Sequence, residues 1–490
     1  MPLNSSDTQP SLRRVQFPPD DDRPPRLLFW GVILTSLALL LGMVGGVLVF
    51  RDVLRPSQQQ RVLEVVPFMR AFLPPTPMGG LLPTVDPALA NNDAARNLLT
   101  MPLALNSPTP NPTAPLATPT TVPSPTEAAS SLVMPTQAEP PLVNSTPEAL
   151  PTIGSTATPL PSPTPTPTEQ SNSDAPIPPA ARIFGLVHHK QTWNNCGPAT
   201  ITTALSFYGW RQDQKYAEER LKPNREDKNV SPDELVRFVN EQTGVRALMR
   251  VGGSLETLKR LLANNLPVVI ERGIMFEANE WLGHYQALVA YDDGPSVFYA
   301  YDSFMGTGAN GEGVTAPYQK LDEDWRHFNR TFIVIYAPQQ EGLVRELLGP
   351  LWDEQVAAET ALQTALDEAR FNPQDGHAWF NIGSSLVLLG RYQEAANAFD
   401  QARRYSLPWR MLWYQFGPFV AYYESGRYND VLSLAQINLN NAQELEETYY
   451  WRGRVYAAQG RREAAAAEYR RALAYNPNFQ LARVALSQLG

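Results

Sequence analysis

The chain has 490 residues, a formal net charge of -9 and one cysteine. A single thiol excludes an intramolecular disulfide framework and any zinc or iron–sulfur site that needs several cysteines. The acidic balance, without a long basic run, gives no electrostatic footprint for nucleic acid, so no nucleic-acid partner is predicted. The chain has 46 prolines against 30 glycines, which is too many for compact structure throughout and predicts that much of it is unfolded.

An apolar segment follows a short N-terminal tail, residues 1–26. Residues 27–50 contain no ionisable side chain and are bounded by Arg26 and Arg51. A helix of this length spans the roughly 30 Å hydrocarbon core of a bilayer, so the pattern predicts one transmembrane helix. A cleavable signal peptide is the alternative, but its apolar region is usually about 7–15 residues long and Phe50-Arg51 is not a small-residue cleavage site.

Residues 51–181 are predicted to form a juxtamembrane segment and then a disordered tether. Pro, Thr and Ser dominate from about residue 74 to 180, and no Lys or Arg occurs between Arg96 and Arg182. This composition cannot bury apolar surface and favours extended polyproline II. Stalks of this kind usually hold a domain away from a membrane, whereas the positive charges flanking the apolar segment are nearly balanced. We therefore expect a single-pass membrane protein with extracytoplasmic C-terminal domains.

A folded domain, residues 182–340, begins where mixed apolar and charged residues replace the Pro/Thr repeats, and it contains the only thiol. From Pro198, apolar residues recur at helical spacing up to Gly209, which predicts a helix with Cys196 at its N-terminal end. Unpaired backbone N–H groups and the helix dipole favour a thiolate there. A lone cysteine is nevertheless more often a buried, inert residue.

Three further residues favour a reactive thiol. Gln191 lies five residues before Cys196, and its amide, with the Cys196 backbone N–H, could donate to an oxyanion. His284 precedes an apolar run that predicts a buried strand starting directly after the imidazole, and Asp302 ends a second strand. A turn at 292–294 would pair the two strands and bring Asp302 beside His284. Together these residues supply a nucleophile, a base and the carboxylate that orients the base.

The run QTWNNCGPAT, together with GHYQALVAYDD and the later YDS, resembles the papain-like cysteine peptidases of the bacteriocin-processing group, which cut leader peptides after a double glycine. The resemblance covers about residues 182–338 and implies an α+β fold. Typical members are fused to a transporter with an ATPase, whereas no phosphate-cradling glycine loop follows residue 340. The resemblance also implies four roles: nucleophile for Cys196, general base and acid for His284, orienting carboxylate for Asp302 and oxyanion donor for Gln191.

No pattern in this domain predicts a cofactor or a metal. The glycine-rich loop 305–313 lacks the strand–loop–helix setting of a dinucleotide or phosphate site, so it is predicted to border the cleft. The adjacent His188 and His189 lack the strand context expected of the catalytic base. Surface or cleft-rim positions are predicted for both.

The last segment, residues 343–490, repeats itself. Gly-Arg-Tyr at 390–392 recurs at 426–428, and Gly-Arg-Arg follows at 460–462, which gives spacings of 36 and 34 residues. A helix–turn–helix period near 34 residues resembles the tetratricopeptide repeat and implies an all-α array with a concave groove. An entry helix and a capping helix are predicted at the two ends, residues 343–370 and 479–490.

Two uses of the repeats are open, because they could bind a protein partner or substrate in the groove or only buttress the preceding domain. The repeats contain more aromatic residues than internal packing alone demands, which favours a partner. These residues are Trp409, Trp413, Tyr414, Tyr422 and Tyr423. The predicted fold class is multidomain, with a transmembrane helix, a tether, an α+β papain-like domain and all-α repeats. The predicted function is a membrane-anchored cysteine peptidase; an inactive surface scaffold and a thiol acyltransferase or cell-wall peptide hydrolase are the alternatives.

Overall fold

The computed structural model describes residues 26–54, 59, 62–63, 65–72, 82, 92–100, 176–276 and 280–489. The N-terminal tail and most of the tether predicted over 51–181 lie outside these residues. The α/β domain and the helical repeats that follow it belong to one unit of the chain.

The apolar segment forms helix α1, Arg26–Leu48. Its 23 residues extend about 35 Å at 1.5 Å per residue. Large apolar side chains along it, such as Leu39 and Leu41, are more than half exposed. Within the described part of the chain this is the one helix long and apolar enough to cross a membrane, a criterion that a signal sequence near the N-terminus also meets.

A short helix lies within the range predicted as an extended tether. Helix α2, Asn92–Thr100, packs against the repeats, where Leu98 is buried and the Leu99 carbonyl accepts a hydrogen bond from Arg370 Nε at 2.9 Å. These nine residues contain no proline. A helix is therefore allowed here, although the surrounding composition favours extended chain.

A sheet with helices on both faces forms the next part of the chain. The strands are β1 Ala180–Arg182, β2 Arg246–Arg250, β3 Val268–Phe276, β4 Glu280–Asp292, β5 Val297–Asp302, β6 Val314–Pro317 and β7 Phe332–Tyr336. They lie in the order β2-β7-β3-β4-β5-β6 with antiparallel pairing throughout the described strands, and β1 pairs with the end of β4. The helices are α3 Cys196–Ser206, α4 Gln214–Leu221, α5 Pro232–Gln242, α6 Leu255–Ala263, α7 Tyr318–Trp325 and α8 Glu341–Leu348.

Period-two alternation along the strands divides the core between the two faces of the sheet. Val269 packs in a cluster with Ile201 of α3, whereas its neighbour Val268 packs with Leu258 of α6 and Trp325 of α7. Helices α5 and α6 both begin with capping boxes, at Ser231 and Ser254. These elements fix α3 against the sheet face on which Tyr285 also lies.

The repeats form the C-terminal part of the chain. Their helices are α9 Glu354–Phe371, α10 Gly376–Leu388, α11 Tyr392–Ala402, α12 Gly417–Glu424, α13 Tyr428–Asn441, α14 Glu446–Ala458, α15 Arg462–Tyr475 and α16 Gln480–Gln488. The capping helix is present as α16. The predicted single entry helix is instead two helices, α8 and α9, because the chain turns at Gly349 (φ +52°) and Pro350 cannot continue a helix.

Charged residues join the repeats to the sheet domain. Arg326 contacts Glu368 at 3.1 Å and Asp375 at 2.7 Å, and Arg330 contacts Glu368 at 2.8 Å. Glu368 lies on α9, and Asp375 is the N-cap of α10. Arg326 and Arg330 of the sheet domain thus both contact the Glu368 carboxylate of the repeats.

Buried polar residues continue this interface along the first helices of the repeats. Asn329 donates to Ser385 of α10 at 2.9 Å, and Asn229 donates to Glu447 of α14 at 3.1 Å. Ser385 and Glu447 are both buried. Ser385 of α10 and Glu447 of α14 are therefore covered by the sheet domain rather than by solvent.

A cluster of carboxyl groups lies where α14 meets the sheet domain. Asp227, Glu234, Glu446 and Glu447 are all buried, as is the Lys222 ammonium. Burial raises the pKa of Asp227 to about 6 and, with the charge of Asp233 adding to it, raises the pKa of Glu234 to about 8. Burial and the neighbouring carboxylates also raise the pKa of Glu446 and Glu447 well above the usual range. The folded chain therefore holds protons here that an unfolded chain would release near neutral pH.

The aromatic side chains that favoured an external partner are used inside the molecule. Trp409, Trp413 and Tyr422 are buried. The ring of Tyr414 lies 5.9 Å from Trp281 and 6.1 Å from Phe328, both of the sheet domain. The aromatic surplus therefore reflects internal packing and domain docking, and it gives no argument for a partner in the groove.

Candidate active site

The thiol lies at the tip of a helix, as predicted. Cys196 is the first residue of α3, Asn195 is its N-cap, and the thiol side chain is half-buried. The amide of Gln214 fixes the loop before it, because Gln214 Oε1 accepts from Asn195 Nδ2 at 2.7 Å and from the Thr192 backbone N–H at 2.9 Å. Gln214 Nε2 in turn donates to the Lys190 carbonyl at 2.6 Å.

His284 and Asp302 come together through the pairing of β4 with β5. The register sets Gln286 opposite Asp302, and His284 Nε2 lies 3.0 Å from Asp302 Oδ1. Both side chains are buried. His284 lies inside β4 rather than just before the strand, because β4 begins at Glu280 in its pairing with β3.

Several donors hold the Asp302 carboxylate in its ionised form. The backbone N–H groups of Phe304 and Met305 donate to Oδ1 at 2.8 and 2.7 Å, and Gln286 Nε2 donates to Oδ2. Burial alone would raise the pKa of Asp302, but the charge and hydrogen bond of His284 and these donors lower it below the usual range.

The imidazole joins the carboxylate to the thiol. His284 forms a side-chain hydrogen bond with Cys196, and since Nε2 faces Asp302, Nδ1 is the ring nitrogen available to the sulfur. Burial would lower the pKa of His284, but Asp302 and Cys196 outweigh it and raise that pKa to about 9. Burial would likewise raise the pKa of Cys196, yet His284 and the Tyr285 backbone N–H lower it. The arrangement therefore favours a thiolate–imidazolium pair near neutral pH.

Gln191 is oriented by the residue next to Asp302. Ser303 Oγ donates to Gln191 Oε1 at 2.7 Å, and the Gln191 backbone N–H donates to the Ser303 carbonyl at 2.8 Å. This engages the oxygen of the amide and directs its Nε2 donors away from Ser303. The structure thus ties Gln191 to the strand that carries Asp302 and leaves an amide donor for another acceptor.

Two histidines and one acid lie near the site without a predicted role. His188 is half-buried and its Nε2 lies 2.8 Å from the Asp302 carbonyl, while His189 is also half-buried. Glu271 of β3 is buried opposite Tyr285, and burial together with the charge of Cys196 raises the pKa of Glu271 well above the usual range. The part of the chain that the structure describes contains no group of three or more His, Cys, Asp or Glu arranged to hold a metal ion.

Sequence reasoning missed the residues that support this site. Gln214, Gln286 and Ser303 position the loop, the carboxylate and the amide, yet no role was predicted for them. Gln286 and Ser303 lie within the runs GHYQALVAYDD and YDS, whereas no motif surrounds Gln214. Gln286 also stands two residues after His284 and so shares its face of β4. That period-two relation was a signal available from the sequence.

Comparisons with known proteins agree with the two parts of the fold. Residues 180–333 match the Peptidase_C39 like family, and residues 357–406 and 446–479 match two models of the tetratricopeptide repeat. The chain thus combines a Peptidase_C39-like domain with tetratricopeptide repeats, which suggests a peptidase with repeats of a kind used in protein–protein interaction. No curated protein matches the chain significantly.

Several solved structures are similar to parts of this chain. A C39-like peptidase from Bacillus anthracis is 14% identical, with 32% of this chain and 96% of that chain covered and a TM-score of 0.26. The peptidase domain of Streptococcus ComA, a bifunctional ABC transporter, is 14% identical, with 31% and 98% covered and a TM-score of 0.24. MamA is 14% identical, with 27% and 77% covered and a TM-score of 0.25.

Proposed function

We propose that this chain is a cysteine peptidase in which Cys196, His284 and Asp302 act as a triad and Gln191 as an oxyanion donor. The observation that carries the proposal is the continuous chain of contacts from the Asp302 carboxylate through the His284 ring to the Cys196 sulfur. A buried, ionised carboxylate on one ring nitrogen stabilises the imidazolium that a thiolate needs beside it.

The reaction follows from these positions. The Cys196 thiolate attacks the carbonyl carbon of a peptide bond, and the Gln191 amide with the Cys196 backbone N–H stabilises the oxyanion. His284 then gives its proton to the leaving amine, so that the C–N bond breaks and an acyl-enzyme remains. Water attacks the thioester as His284 takes one of its protons, and the C–S bond then breaks, which releases the carboxylic acid and restores the thiolate–imidazolium pair. Asp302 keeps the His284 ring oriented during both acylation and hydrolysis of the acyl-enzyme.

The proposal has a direct test. The full chain in detergent is incubated with a mixture of proteome-derived peptides, and new N-termini are counted by mass spectrometry. We expect new termini with the natural chain and none above background with Cys196→Ser, which keeps the shape of the side chain. Equal counts in both would overturn the proposal.

Two further outcomes separate the alternatives. A Cys196 that alkylates no faster than free cysteine would indicate an inactive scaffold. New amide products in the presence of an added amine such as glycinamide, formed in place of hydrolysed ones, would indicate an acyltransferase.

We also propose that α1 is retained as a membrane anchor, with the C-terminal domains on the extracytoplasmic side. Its length, its exposed apolar side chains and the Arg residues at both ends support this. The intact mass of the chain recovered from membranes tests retention, and loss of residues 27–50 would indicate a signal peptide. Protease treatment of intact cells tests orientation, and protection of the repeats would refute it.

A further inference from the structure

A residue of the repeats lies against the strand that carries His284. Gly283 precedes His284 in β4, and a Cβ placed on Gly283 would lie 3.0 Å from ring atoms of Tyr414 and 2.8 Å from Phe328 Cζ. The absence of a side chain at Gly283 is therefore what lets the Tyr414 ring reach the strand backbone. Tyr414 comes more than a hundred residues later in the chain, between α11 and α12.

Tyr414 lies on the same face of the sheet as the helix that begins at Cys196. Alternate residues of a strand share a face, so Trp281, Gly283 and Tyr285 point the same way. Trp281 is 5.9 Å from Tyr414 by ring centroids, and Tyr285 packs in the core cluster of α3. Burial, together with the charge of Cys196, raises the pKa of Tyr414.

The segment that presents Tyr414 is anchored on both sides. Within the repeats, Asn438 Nδ2 donates to the Leu412 carbonyl at 2.9 Å, and both residues are buried. Toward the sheet domain, Gln415 Nε2 donates to the His327 carbonyl at 3.0 Å. A ring held between two such contacts has little freedom to leave the strand.

We propose that Tyr414 is a positioning residue, which the repeats contribute to the catalytic centre by holding β4 at Gly283 so that the His284 ring stays aligned with Cys196. The inference rests on the proposed peptidase function. Packing of the Tyr414 ring against Gly283 and Trp281 fixes the position of the β4 backbone next to His284. The repeats thereby act on the Cys–His pair without touching a reacting atom.

The test uses the only thiol of the chain as its probe. The full chain is alkylated with iodoacetamide between pH 5 and 10, and the rate is scaled to the folded fraction. For Tyr414→Ala we expect alkylation at pH 7 to slow by about tenfold, and the inflection to move up toward the value near 8.5 of an unperturbed thiol. Tyr414→Phe keeps the ring and loses only the hydroxyl, so a slowing of at most about fivefold is expected.

Tyr449→Ala is the matched control. Tyr449 is a buried repeat tyrosine whose hydroxyl donates within the repeats to the Gln443 carbonyl at 2.8 Å and whose ring stacks on Tyr475 at 5.3 Å. It should lower stability and leave the inflection unchanged. A better-exposed thiol would speed alkylation at every pH, so the inflection rather than the rate separates positioning from access.

The outcomes distinguish the two proposals. An unactivated thiol in the natural chain would overturn the peptidase and the role of Tyr414 together. Two results with an activated thiol would overturn the role of Tyr414 alone. One is a pH inflection of alkylation in Tyr414→Ala that equals that of the natural chain, and the other is an equal shift of this inflection in Tyr449→Ala. If the Ala variant does not fold, Tyr414→Leu, which removes the ring but keeps a large apolar side chain, takes its place, and an unchanged inflection in that variant overturns the role of Tyr414.

Discussion

Removing the charge of Asp302 tests the thiolate–imidazolium pair most directly. The pKa of His284 is about 9 in the folded chain against an ordinary 6.5. Since one pKa unit corresponds to about 1.4 kcal/mol, the carboxylate and the thiolate together favour the imidazolium by about 3 kcal/mol beyond the cost of burial. With Asp302→Asn we expect the ring to be mostly neutral at pH 7, and the thiol to return to its neutral form with it.

The assay is alkylation of Cys196 with iodoacetamide, followed by intact mass from pH 5 to 10. An ordinary thiol is only a few per cent ionised at pH 7. The rate at pH 7 should therefore fall by about 30-fold in Asp302→Asn, and the profile should rise only near pH 8.5. In the natural chain the rise should come at a lower pH, because His284 lowers the pKa of Cys196.

Asp400→Asn provides the matched control. Asp400 is as buried as Asp302 and is likewise held by donors, Tyr422 Oη at 2.9 Å and Arg427 at 2.7 Å, but it lies in the repeats. Asp400→Asn should lower the free energy of unfolding without shifting the pH at which alkylation of Cys196 accelerates. If the profile of Asp302→Asn superimposes on that of the natural chain after correction for the folded fraction, the ion-pair reasoning is refuted.

Three further predictions concern stability and are measured by urea denaturation. Gly273→Ala should destabilise the chain by about 2–3 kcal/mol, because its Cβ would clash with His327 and Trp281. Glu368→Gln should cost about 1–2 kcal/mol through the loss of the two arginine contacts between the domains. The pKa values of Asp227 and Glu234 are raised to about 6 and about 8 on folding, so the stability that the carboxyl cluster contributes is full below about pH 4 and is lost as the pH rises through 6 to 8. The pKa of Glu447 is also raised, so Glu447→Gln should make this loss of stability smaller.

Each stability prediction has its own counterpart. A Cβ on Gly342 of α8 would meet open space, so Gly342→Ala should leave the free energy of unfolding unchanged or raise it by up to about 1 kcal/mol. An equal loss of stability in Gly273→Ala and Gly342→Ala would contradict the predicted clash at Gly273. Glu359 of α9 accepts a hydrogen bond from Gln355 in the same helix. Glu359→Gln should therefore lower the free energy of unfolding by less than about 0.5 kcal/mol. A stability that rises between pH 5 and 9 would contradict the reasoning on the carboxyl cluster.

The sequence by itself determined the local features of this protein. The start of α3 at Cys196 follows from Pro198 and helical spacing, and the capping boxes of α5 and α6 follow from residues three apart. Alternation along β4 and β5, with the turn between them, was enough to predict that Asp302 pairs beside His284. The 34-residue period was enough for the repeats. All of these are short-range patterns, which a chain carries wherever it folds.

Only the tertiary structure decided what surrounds the thiol. Ser303 reaches Gln191 across 112 positions, and Tyr414 reaches Gly283 from another domain. Tyr414 and other aromatic residues of the repeats favoured an external partner when read as composition, but the fold packs them inside the molecule. Such contacts depend on how sheet and repeats dock, and docking is set by the sum of many weak contacts that no single local pattern records.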